Sequence, residues 1–226
     1  MNAGAVNRVS TVVLIEACVD SPSTAQAAVE AGAHRIELCG PGDGGTTPSP
    51  ILVAECRRAV TVPLHVMIRP HDGGFVYHDG HLAEMIDSIQ AARDLGADGV
   101  VFGILTRGCR IAESEVAHLA AASRPMATVF HRAFDRVPDA EAALDTLMSI
   151  GVNAVLTSGL SRTALEGATM LAALRERAES RLTVMAGGGV RPGNVRALVD
   201  ACDVRAVHAR GLDAEIIRGI SKALNG

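Results

Sequence analysis

Glu16, Glu37, Arg69, His131, Arg132, Asp135 and His208 are side chains that can move a proton or grip an anion. An imidazole titrates near neutral pH, so His131 can serve as a general acid or base, with Glu16 or Glu37 as its partner. The same ring can equally be a hydrogen-bonded structural histidine. A buried carboxylate requires a partner, which makes pairs of Glu16 or Glu37 with Arg69 or Arg132 the expectation. Gly187-Gly188-Gly189 precedes a helix expected near Pro192. Backbone N–H groups at such a place suit a phosphate, with Arg210 as an added charge. A tight turn at positive φ would account for the same glycines. Thr157 and Ser158 add hydroxyls.

The five cysteines, at 18, 39, 56, 109 and 202, are odd in number and form no CxxC, so they are not a disulfide framework. Cys18 and Cys39 are separated by 39 − 18 = 21 positions, one strand–helix unit. At the ends of neighbouring strands, about 4.8 Å apart, two thiolates can converge; a free cysteine can also simply pack. Cys56, Cys109 and Cys202 are assigned to packing or surface. The stretch from His71 to His81 carries histidines at 71, 78 and 81 without the i, i+4 helical spacing of a metal motif, and reads as a solvated lid.

The elements that must position these residues alternate along the chain. Strands are expected at 12–17, 35–38, 64–68, 99–102, 127–130, 154–157, 182–186 and 204–208. Helices are expected at about 21–31 (with Ser23 near the N-cap), 49–59, 82–95, 113–122, 139–150, 164–178, 192–200 and 214–224. Eight units in 226 residues give about 28 residues each, the period of a βα barrel. A faint repeat agrees: Gly32, Gly96 and Gly151 each stand two spacers ahead of an apolar strand, at offsets of 96 − 32 = 64 and 151 − 96 = 55. An open doubly wound sheet would normally place GxGxxG after its first strand, and none is there. The fold class is therefore α/β, a single-domain (β/α)8 TIM barrel over residues 1–226. Its working face is the C-terminal end of the strands, where the ionisable residues named first, Cys18, Cys39 and the triple glycine are expected to fall.

Composition excludes other classes. Lys+Arg is 21 and Asp+Glu 25, a formal charge of −4, and aromatics are 2% of the chain. Neither a basic excess nor stacking platforms are available for nucleic acid. No apolar run reaches the roughly 18 residues of a membrane span. Arg8 followed by Val12–Ile15 is cut short by Glu16, too brief for a signal-peptide core, so a cytoplasmic location is expected. Outer helices rich in Ala and Leu suggest a homo-oligomer, with a small molecule or metal ion as the ligand.

Seven segments in order are Glu16-Ala17-Cys18-Val19-Asp20, Arg35-Ile36-Glu37-Leu38-Cys39, Gly44-Gly45-Thr46-Thr47-Pro48-Ser49, Val66-Met67-Ile68-Arg69-Pro70, Phe130-His131-Arg132-Ala133-Phe134-Asp135, Leu156-Thr157-Ser158-Gly159 and Met185-Ala186-Gly187-Gly188-Gly189-Val190. Together, from about Leu14 to His208, they resemble the copper homeostasis protein CutC family. The resemblance implies a TIM barrel, a role in copper homeostasis, and Cu(I) held by two cysteines that match Cys18 and Cys39. Soft thiolates are the ligands Cu(I) selects. This chain has His71-Asp72-Gly73-Gly74 where the family usually has Arg-Gly-Gly-Asp, and Ala209-Arg210-Gly211 where a Ser commonly follows His208. The alternative is an enzyme acting on a small anionic substrate, sugar phosphates among them. Glu16, Arg69, His131 and Asp135 would then be catalytic, and Glu37, Arg132, Ser158, Gly187, Gly188, Gly189 and His208 would contact the substrate.

Overall fold

Eight parallel strands pair in sequence order, and the eighth returns to the first to close a barrel. The structure, a computed structural model, describes residues 12–40 and 45–226; Arg8 and the Pro41–Gly44 part of the glycine-rich loop lie outside the described residues. In chain order the elements are β1 (Leu14–Val19), α1 (Pro22–Glu30), β2 (Arg35–Leu38), α2 (Pro50–Ala59), β3 (Leu64–Met67), α3 (Asp79–Asp94), β4 (Gly99–Phe102), α4 (Glu113–Ser123), β5 (Ala127–Phe130), α5 (Ala140–Ile150), β6 (Ala154–Thr157), α6 (Ala168–Ala178), β7 (Thr183–Gly187), α7 (Val195–Cys202), β8 (Ala206–Arg210) and α8 (Ala214–Asn225). This is the (β/α)8 barrel. Among the described residues, no helix is long and apolar enough to cross a membrane.

Alternation along the strands divides the apolar residues into two cores. Ile15, Ala17 and Val19 face the helices, with Ile36, Leu38, Val100, Phe102 and Phe130 from other strands. Leu14 and Cys18 face inward, where Met67, Val101, Val129, Leu156 and Met185 fill the lumen. Large and small residues interlock there. A Cβ on Gly99 would come within 2.5 Å of the His65 ring. Gly99→Ala should therefore overpack the lumen and lower stability by about 1–3 kcal/mol. A melting temperature equal to wild type would show that the His65 ring can move aside.

Several bounds differ from the sequence expectation. β1 and β8 both lie two residues later than expected. They pair with each other at the closure, Leu14 with Ala206 through Cys18 with Arg210, and the ladder runs on to a bond from the Gly211 N–H to the Cys18 carbonyl. Register between the ends of the chain sets these limits, and local composition does not report it. Ser21, rather than Ser23, caps α1, accepting from the Thr24 N–H. α3 begins at Asp79, earlier than expected. α6 begins at Ala168 instead of 164, because the Ala164 N–H donates across to the Gly188 carbonyl and Thr163 and Glu166 bond to each other in a turn ahead of the helix. α7 begins at Val195 because the Asn194 side chain ties down the turn, accepting from the Arg191 N–H and donating to the Gly189 carbonyl. A 3-10 turn at Arg132–Arg136, which the sequence did not signal, follows β5.

Candidate functional site

Inward positions of β8, β1 and β2 build a polar column through the lumen, while the inward faces of β4 to β7 are mainly apolar. Arg35 is lowest, and its Nε donates to Glu16 Oε2 at 2.5 Å. The other Glu16 oxygen meets His208 Nδ1 at 2.8 Å. The far side of the His208 ring, Nε2, lies 3.6 Å from Glu37 Oε2. Cys39 donates its thiol to that Glu37 oxygen at 3.8 Å, and its sulfur lies 3.6 Å from the Cys18 sulfur. The column thus climbs from an arginine at the bottom to two thiols at the mouth. An S–S bond is about 2.05 Å long, so both cysteines are free thiols.

Electrostatics in the column follow burial and partner. Burial alone would raise the Glu16 carboxyl, but the His208 hydrogen bond and the charges of Arg35 and His208 outweigh it and hold its pKa at about 2. Glu37 has no comparable cation fixed to it, so burial, together with Cys18 and Glu16 nearby, pushes its pKa well up. Burial would lower His208, yet Glu37, Cys18 and Glu16 around it raise its pKa well above the usual imidazole range. The hydrogen bond with Cys39 and burial raise the Cys18 thiol. For Cys39 the bond from Cys18 acts downward, and burial with Glu37 and Glu16 overcomes it.

Across the mouth, Asp135 works as a bracket. Its Oδ1 accepts from Thr157 Oγ1 at 2.5 Å and from the Ser158 N–H at 2.9 Å, while Oδ2 accepts from Arg132 Nε at 2.7 Å. Arg132 also donates to Ser158 Oγ at 3.1 Å. His131 is buried beneath, and its Nδ1 accepts from the Ala133 N–H at 3.1 Å. Burial, then the Arg69 charge, drives its pKa down to about 3, so the ring is neutral at physiological pH. Arg69 donates to the Asp72 and Gly73 carbonyls, and its guanidinium lies 5.1 Å from the Phe75 ring centre. Gly188 and Gly189 adopt φ of +108° and +71°, whereas Gly187 ends β7 and takes no positive φ.

Two expected pairings are corrected. Glu16 is satisfied by Arg35 and His208 rather than by Arg69 or Arg132, and Arg132 is committed to Asp135. Among the described residues, His131 has no carboxylate partner; its ring nitrogen caps the 3-10 turn instead. Arg35 and His65 were missed as site residues, although Arg35 stands two places before Glu37, the same inward face by strand alternation. The histidines of the lid do gather, His78 stacking on His81 at 3.6 Å between ring centres and His71 at 4.8 Å from His81.

Two sets of ligand atoms lie within 4.8 Å of one another: Cys18, Glu37 and Cys39, and Glu16, Glu37 and His208. In the second, the Glu16 carboxylate is already paired to Arg35 and His208. The first offers two sulfurs, donors that suit a soft monovalent cation.

The CutC family model matches residues 13–212. Over 208 residues the chain is 43% identical to the CutC family protein of Chromobacterium violaceum, covering 91% of this chain and 84% of that one. It is 43% identical over 196 residues to the copper homeostasis protein cutC homolog of Homo sapiens, covering 86% and 72% respectively. Among solved structures, the CutC protein from Streptococcus agalactiae superposes with a TM-score of 0.83 and 33% identity, covering 87% of this chain and 98% of that one. Phosphoribosylanthranilate isomerase from Thermotoga maritima, 14% identical with a TM-score of 0.63, shares the fold alone.

Proposed function

The chain belongs to the CutC family, and from that premise we propose that it takes part in copper homeostasis by binding Cu(I) through the thiolates of Cys18 and Cys39. One observation carries the proposal: the two sulfurs stand 3.6 Å apart at the C-terminal end of adjacent strands, with Cys18 partly exposed at the mouth. Two thiolates select Cu(I) over harder ions. Copper in the name of the human relative points the same way. Glu37 and His208 stand immediately beneath the thiols, where they orient the sulfurs by hydrogen bonding and charge. The proposal places the protein in the reducing cytoplasm, where free thiols persist. There it would act as a homo-oligomer packed through its outer helices.

A competition titration tests the proposal. Wild-type protein should withdraw one Cu(I) per chain from a colorimetric chelator under anaerobic conditions. Cys18→Ser combined with Cys39→Ser should bind at least about a hundredfold more weakly, because hard hydroxyls replace both soft ligands. Unchanged affinity in the double variant ends the two-thiolate proposal.

A further inference from the structure

The thiol pair occupies only part of a cavity of about 560 Å3, far more space than a single metal ion needs. Among the described residues, its wall includes Arg132 and Arg191, with the acids Asp20 and Glu37. We propose that this cavity binds a small organic oxyanion, its acidic head against Arg132, Arg191 and the Gly188–Val190 backbone and its body reaching toward the thiols.

Arg132 is prepared for that role. Asp135 holds its Nε at 2.7 Å and Ser158 accepts from its Nη2 at 3.1 Å, so the guanidinium plane is fixed from one edge. Its Nη1 is left without an acceptor among the described residues. The group packs against Gly188, where an added Cβ would come within 3.3 Å of Cζ and Nη1. A fixed fork of this kind matches the oxygens of a carboxylate or phosphate. Gly188 and Gly189 both take positive φ. Among the described residues, no acceptor receives the N–H groups of Gly188, Gly189 or Val190. Successive free N–H groups in such a turn form an anion-binding concavity.

An independent observation lies on the floor. His131 is only 5% exposed and lines the cavity. Its Nδ1 is spent as an acceptor for Ala133, which puts the hydrogen on Nε2, and Nε2 is buried without a partner among the described residues. Buried donors nearly always have an acceptor, and this one lacks it on a side chain that lines the cavity. Phosphate esters and carboxylates share the oxyanion chemistry that these donors recognise.

The test uses metal-free protein, so its outcome is separate from that of the copper titration. Inorganic phosphate, glycerol 1-phosphate and succinate are titrated calorimetrically against wild type, Arg132→Gln and Arg191→Gln. At least one organic anion should bind with a Kd below about 1 mM, and each substitution should weaken it about tenfold or more, the loss of one charge-assisted contact. Glycerol 1-phosphate binding with succinate silent makes the head a phosphate; the reverse makes it a carboxylate. Arg191→Gln keeps the test decisive if Arg132→Gln unfolds, because among the described residues the Arg191 side chain bonds only to its neighbour's carbonyl at Val190. Absence of binding by all three anions, or variants that bind like wild type, would overturn the proposal.

Discussion

Replacing Glu16 with alanine should lower the free energy of unfolding by about 3–5 kcal/mol, because two cations would be left buried without their counter-charge. Glu16 is fully buried, and its oxygens are divided between Arg35 at 2.5 Å and His208 at 2.8 Å. Among the described residues, neither partner has another carboxylate at comparable distance: His208 is 3.6 Å from Glu37. The expected loss is a large share of the roughly 5–15 kcal/mol that holds a domain folded. Urea unfolding midpoints at constant m-value measure it. Cutting the exposed Arg177–Asp145 pair, a 2.5 Å contact on the surface, should leave the midpoint in place. If Glu16→Ala behaved like that surface pair, the column would not be the sealed network described above.

Acid should weaken the fold from pH 6.5 downward, well before most carboxylates titrate. Burial, then Arg69, lowers His131 from 6.5 to about 3, and burial lowers His65 from 6.5 to about 4. Between pH 6.5 and about 4 the unfolded chain binds a proton at each ring while the folded chain binds neither, so stability falls as pH falls. Each ring contributes about 1.4 kcal/mol per pH unit. Glu37, whose pKa is raised, acts in the opposite sense above pH 4.5 and makes the net slope shallower than the two rings alone would give. Below 4.5, protonation of Glu16, held at about 2 in the folded state, steepens the loss. Above 6.5 the sign reverses, because His208 with its raised pKa retains a proton that the unfolded chain releases. Stability should therefore peak near pH 6.5. His131→Gln isolates one group: its unfolding energy between pH 6.5 and 5 should slope less steeply than wild type by about 1.4 kcal/mol per unit. Parallel slopes for the two proteins would remove His131 from the explanation.

Much of this was legible in the sequence, and the failures share a cause. β2, β4, β5 and β6 have the bounds that composition and flanking glycines indicate, since each is a short apolar run with its own stop signals. The limits of β1 and β8 depend on how the chain ends meet at closure. The choice of Arg35 for Glu16 depends on strand register, which pairs these two residues directly across β1 and β2. The convergence of Cys18 and Cys39 could be anticipated, because 21 residues make one strand–helix unit and adjacent strands are neighbours in any barrel. That Asp135 braces Arg132 could not, because a 3-10 turn between them sets the geometry.

X-ray absorption at the copper edge on anaerobically loaded protein tests the two-thiolate assignment most directly. Two sulfur neighbours per copper are predicted in wild type, falling to one or to an oxygen- or nitrogen-dominated shell in Cys39→Ser. A wild-type spectrum without sulfur, or one that Cys39→Ser leaves unaltered, would contradict it.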